Sequence, residues 1–178
     1  MKPIVVLLSI LLISGCANPL NRVTYDRYWK QGGDAEHAGQ LGVAEQAYYR
    51  ALMNVDMGNL GPLLKAQALY NLGCVKRRVG KYMEAEDLLK QSLALDEKIL
   101  SPDNLDTDRC LIELSVTFAA QEKWSEGSRY LERVFPHAGR FSGHEREFMS
   151  EVFKHFSAEL RKAGQVERAK IFEQPDVP

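Results

Sequence analysis

The 178-residue chain has no charge surplus of either sign, with 23 Lys and Arg against 24 Asp and Glu and a net charge of −1. Without a cationic excess, binding nucleic acid by neutralising its phosphates has little support, and the same balance gives no sign of a polybasic membrane surface. Catalytic signatures are missing too. No G-x-S-x-G elbow occurs, and Gly73 to Gly80-Lys81 has six residues between its glycines where a phosphate loop needs four. His144-Glu145 opens like a zinc-protease motif, but Phe148 stands where the second ligand belongs. His144 and His155, eleven apart, can share a helix face but read as solvated, and His37 and His137 stand alone near turns. Glu84 with Glu86, and Glu145 with Glu147, lie two apart and face different ways on a helix. The expectation is a chain with no catalytic centre, no metal and no cofactor. What is present, 45% hydrophobic and 26% charged residues, describes one ordinary soluble domain.

Long apolar runs are also scarce. The one near the start, Ile4 to Ile13, is interrupted by Ser9 and is too short to cross a bilayer. It follows the basic Lys2 and ends in Ile13-Ser14-Gly15-Cys16, the layout of an export signal. An aliphatic residue, two small residues and a cysteine resemble the lipobox of bacterial lipoproteins; the alternative is an ordinary secretory signal with a chance cysteine. The resemblance implies removal of residues 1–15, acylation of Cys16, and a mature chain held by several acyl chains. Ala17 in place of an aspartate implies the outer membrane, on its periplasmic face. Residues 16–23 are then expected as a lipidated tether, the seven from Ala17 to Val23 reaching about 25 Å at full stretch. Two cysteines remain. Cys74 and Cys110 could pair in an oxidising compartment, but the repeat register sets them on neighbouring helices at different heights, so two buried, unpaired thiols are expected.

Self-similarity organises the rest. Val43-Ala44-Glu45 to Leu52 falls in register with Glu84-Ala85-Glu86 to Leu93 at an offset of 41, and Lys123-Trp124-Ser125-Glu126-Gly127 and Gly164 to Ala169 echo Gly80 to Ala85 at further offsets of 42. The small residues Ala44, Ala85, Gly127 and Ala169 mark four copies. Each reads as a helix hairpin: Leu69, Leu72, Val75 and Val79 recur at helical spacing, Gly80 breaks the helix, and Ala85, Leu88, Leu89 and Leu93 open a second apolar face. Ala85 and Gly73 are expected at the close crossing of the two helices. Leu72-Gly73 followed by Gly80-Lys81-Tyr82-x-Glu84-Ala85-Glu86 resembles the tetratricopeptide repeat, and the long period resembles the repeats of kinesin light chains. That resemblance implies an all-α, right-handed solenoid of about four helix hairpins over residues 24–173, followed by a tail, 174–178. Connections are expected at Gly58 to Pro62, Ser101 to Thr107 and Pro136 to Gly143, with Ser142 and Glu145 forming a capping box and a short final helix.

In tetratricopeptide arrays the first helices of successive copies line a concave groove. The register places Trp29, Tyr70, Cys74, Arg77, Arg109, Ile112, Val116, Lys154 and Arg161 there, with its centre at Tyr70, Arg77, Arg109 and Ile112. Aromatic and guanidinium groups together suit a protein-binding patch; Trp29 and Tyr70 merely packing the hairpins is the other reading. The expected function is a non-enzymatic outer-membrane lipoprotein scaffold that holds an envelope protein or peptide segment, of pilotin or assembly-factor type. A peptidoglycan- or glycan-binding module using Trp29, Tyr70 and Trp124 as stacking platforms is the alternative.

Overall fold

The computed structural model describes residues 18–100 and 104–173. Among these it contains α-helices α1 (Pro19–His37), α2 (Leu41–Gly58), α3 (Pro62–Arg78), α4 (Tyr82–Ile99), α5 (Leu105–Ala119), α6 (Trp124–Val134), α7 (Gly143–Lys162) and α8 (Val166–Ile171), with no strand. Consecutive helices pack as hairpins, α1 on α2, α3 on α4, α5 on α6 and α7 on α8, and each hairpin packs on the next. This is the helical solenoid expected from the repeat.

The small-residue register is what lets the hairpins close. Ala44, Ala85 and Ala169 are fully buried, and Gly127 is buried as well. A Cβ on Gly73 would stand 2.8 Å from Leu89 Cγ, and one on Gly32 2.5 Å from the Tyr48 ring. In the third copy the roles of the two helices are exchanged: the larger Ser115 occupies the first helix, and Gly127 faces it, where a Cβ would meet the Ser115 carbonyl at 2.9 Å.

The turn inside each hairpin is also repeated. Gly39, Gly80, Glu122 and Gly164 all have positive φ, and the next residue's N–H donates to a carbonyl five residues back: Gln40 to Ala35, Lys81 to Lys76, Lys123 to Phe118 and Gln165 to Leu160, at 2.8 to 3.0 Å. This six-to-one bond closes a left-handed helix cap that glycine adopts without steric cost. Glu122, with φ of 59°, stands where the other three copies have glycine. Glu122→Gly should therefore stabilise the protein by about 1 kcal/mol, read as a rise in urea midpoint; an unchanged or lower midpoint would contradict this account of the turn.

Ion pairs follow the same period. Lys81 at the start of α4 reaches back to Glu45 of α2 at 2.7 Å, and Lys123 at the start of α6 reaches back to Glu86 of α4 at 3.9 Å. In the last copy Gln165 donates to Ser125.

Three expected connections differ. Of the expected tether, the residues from Pro19 to Val23 are helical instead, because α1 begins at Pro19: Asn18 caps it, accepting from the Leu20 N–H at 3.0 Å, and Pro19 presets the first turn. The Asn18 N–H donates to the Gly58 carbonyl at 3.0 Å, which fastens this start to the end of α2. Helix α5 likewise starts at Leu105 under an Asn104 cap, inside the expected connection. Pro136 to Gly143 is largely a 3₁₀ helix (Phe135–Arg140), because Phe135, Ala138 and Phe141 are apolar and drop into the core. Ser142 does precede α7, but its side chain makes no capping bond, and Glu145 turns to Arg109 instead. The expected short final helix is α8, whose end is held by Phe172 stacked on Phe153 at 5.7 Å. The export signal, Cys16 and the tail 174–178 lie outside the described residues.

Candidate partner-binding groove

Two adjoining hollows, each of about 190 Å³, run across the first helices of the copies. One is lined by Trp29 of α1, Leu63, Gln67, Tyr70 and Asn71 of α3, Asp96 of α4, and Asp106 and Arg109 of α5. The other is lined by Tyr70, Arg109, Ile112 and Glu113, together with Phe141 and the α7 residues Glu145, Phe148 and Met149. Tyr70 and Arg109 belong to both, so they form the ridge on which the hollows meet.

The ridge is held from below and from the sides. Tyr70 is half-buried and packs against the main core, whose burial pushes its phenol well above the usual range. Arg109 is clamped between two carboxylates, donating to Asp106 at 2.9 Å and, through Nε and Nη2, to Glu145 at 3.0 and 2.8 Å. A guanidinium fixed in plane loses little freedom when it meets a ligand. Asp96 lies at the floor of the first hollow, and burial, reinforced by neighbouring Asp106, raises its carboxyl to about 6. The first hollow is thus acidic and aromatic, and the second is mainly aromatic and aliphatic.

The other expected groove residues divide. Trp29 lines the first hollow while resting on Tyr25 and Tyr48, with centroids 5.6 and 6.0 Å away, so it packs a hairpin and borders the groove at once. Ile112 lines the second hollow as buried floor. Arg77 lines neither: it is spent on Glu113 of α5, with Nε to Oε2 at 2.8 Å, and ties neighbouring first helices together. Cys74 and Val116 are half-buried against the core, and Lys154 and Arg161 of α7 line neither hollow, Arg161 being bonded to Glu173 at 2.5 Å. Cys74 and Cys110 are unpaired thiols, and burial raises that of Cys110 to about 12.

Leu63, Gln67, Asp96, Phe141, Phe148 and Met149 join the groove without being expected there. Phe148 is exposed on the face of α7 that α5 approaches, and its helical spacing from Glu145 is the available signal. Asp96 sits on a second helix and gives no such signal. His144 is fully exposed beside Glu147, whereas His155 stands edge-on to Trp124 at 4.9 Å. Trp124 packs on Phe156 and lines neither hollow. Among the described residues no three His, Cys, Asp or Glu side chains gather as a metal site.

Comparison with known proteins agrees with this architecture. Residues 64–140 match the tetratricopeptide repeat family. No curated protein matches the chain. The crystal structure of BtubC (BKLC) from P. vanneervenii is similar over 85% of this chain, with 15% identity and a TM-score of 0.73; this chain spans 61% of that one, less than two thirds of its length. A kinesin light chain from Podosopora anserina with nearly identical TPR-like repeats is similar over 83% of this chain and 71% of its own, at 17% identity and a TM-score of 0.64. A substituted form of that kinesin light chain is similar over 91% of this chain and 74% of its own, with the same identity and score. At such identities the likeness is one of fold. The family match thus spans α3 to α6, and the hairpins on either side, α1 with α2 and α7 with α8, continue the same solenoid fold.

Proposed function

We propose that this chain is a non-enzymatic scaffold of the bacterial envelope, anchored by acylated Cys16 to the outer membrane, that holds a segment of another envelope protein in its groove. The match of residues 64–140 to the tetratricopeptide repeat supports a protein-interaction scaffold. The observation that carries the surface is the pair of hollows meeting at Tyr70 and Arg109. Each has the volume of one or two side chains, as expected where a bound segment buries successive anchors. The acidic first hollow, with Trp29 and Tyr70 as walls, suits a basic side chain, and the second, with Phe141, Phe148 and Met149, suits a large apolar one. The lipobox Ile13-Ser14-Gly15-Cys16 supports the location.

Two experiments test the halves separately. A photo-reactive residue at Gln67, in the groove, should give one discrete protein adduct in cells, and the same residue at Asp87, exposed on α4, should give none. An adduct from Asp87 alone would move binding to the other side of the solenoid. Cys16→Ser should leave an unprocessed precursor that takes up no labelled palmitate, and normal processing and labelling of that variant would refute the anchor.

A further inference from the structure

We infer that the first hairpin rests directly on the membrane surface, with Leu20, Val23 and Met57 inserted among the lipids, so that the solenoid is mounted on the bilayer instead of swinging on a leash. The inference depends on the proposed acylation of Cys16. Leu20, Val23 and Met57 are 75%, 69% and 72% exposed, the three most exposed large apolar side chains among the described residues. They gather at one end of the molecule. The Asn18 N–H is bonded to Gly58, and a Cβ on Gly58 would stand 2.5 Å from the Asn21 Cβ, so the start of α1 lies against the end of α2 beside Met57.

This end is also where the anchor leaves the fold. Cys16 and Asn18 are two peptide links apart, at most about 7 Å between Cα atoms. An acyl chain on Cys16 therefore brings the Asn18 cap to the lipid surface, and the exposed apolar groups beside the cap come with it. Charge points the same way. Leu20, Val23 and Arg27 follow one another at helical spacing along one stripe of α1. Arg27 and Arg50 lie on the ring of Tyr28, at 5.1 and 5.5 Å, and neither is paired with a carboxylate among the described residues. Two guanidinium groups on an aromatic ring, next to an apolar stripe, match the headgroup layer of an anionic bilayer. The groove stays open in this pose, because Trp29 lies roughly 120–180° round α1 from the stripe at 100° per residue.

Methionine oxidation tests the pose on the unaltered protein. Full-length acylated protein in vesicles of phosphatidylethanolamine and phosphatidylglycerol is treated with a charged, water-soluble oxidant, and sulfoxide formation is followed by peptide mass spectrometry, with the acyl chains on Cys16 confirmed by mass. Met83, 64% exposed on α4, is the internal reference. Met57 should oxidise at least about five-fold more slowly than Met83. Leu20→Asp with Val23→Asp should restore Met57 to the Met83 rate while the protein stays in the vesicle fraction. Equal rates in acylated, unaltered protein overturn the docking and leave the anchor standing. Protection of Met57 that appears only as the protein-to-lipid ratio is raised means that a second copy covers the patch, which also overturns it. A Cys16 without acyl chains overturns anchor and docking together.

Discussion

Replacing Tyr70 and Arg109 together by alanine should weaken binding of the groove partner by at least about 30-fold, the effect of losing one hot spot worth 2 kcal/mol. Among the described residues these two side chains are the ones that line both hollows, so a segment seated in both is expected to meet them. The Arg109 change is clean for the fold: Asp106 and Glu145, which it leaves behind, are both exposed and can be solvated. Tyr70 also packs on the core, so Tyr70→Phe is the needed companion, keeping the ring and removing only the hydroxyl. Binding of the segment captured from Gln67, followed by fluorescence anisotropy, should survive Tyr70→Phe and fail in the double alanine variant while helicity is unchanged. Wild-type affinity in the double variant would place the partner elsewhere.

The largest effect on stability is expected at Gly127. A Cβ there meets the Ser115 carbonyl at 2.9 Å and the Phe156 ring at 3.0 Å, and the first of these is backbone that cannot swing aside. Gly127→Val must push α6 from α5, and overpacking of this kind costs about 3 kcal/mol. For a domain of this size that lowers Tm by roughly 6–12 °C. Gly42→Val is the control, since a Cβ at Gly42 has no neighbour within 4 Å. Thermal unfolding followed by circular dichroism should separate the two variants clearly; equal shifts would show that the close crossing is not where the third hairpin is tight.

Why the fold is legible in the sequence and the groove only partly so has a physical answer. Ala44, Ala85, Gly127 and Ala169 each meet a steric demand made by their own hairpin, so the demand recurs with the chain's period and shows in the sequence as a repeat. The left-handed caps after each first helix recur in the same way. The groove obeys no such local rule. Register alone puts Arg77 at its centre, yet Glu113 from the next first helix claims that guanidinium, and only the packing of α3 on α5 brings the two together. Asp96 enters from a second helix because its end reaches under Asp106, a contact between copies. The start of α1 differs from expectation for a simpler reason: Asn18-Pro19 is a cap and first turn, a local signal that outweighs the reading of these residues as a leash.

The central claim is that the partner lies along the first helices, and hydrogen exchange of the full chain with and without the captured segment tests it most directly. Amide protection reports local opening, so a segment seated across Tyr70 and Arg109 should slow exchange in α1, α3, α5 and the first half of α7, and leave α2 and α6 unchanged. Added protection concentrated in α2 and α6, with none around Tyr70 and Arg109, would contradict the account.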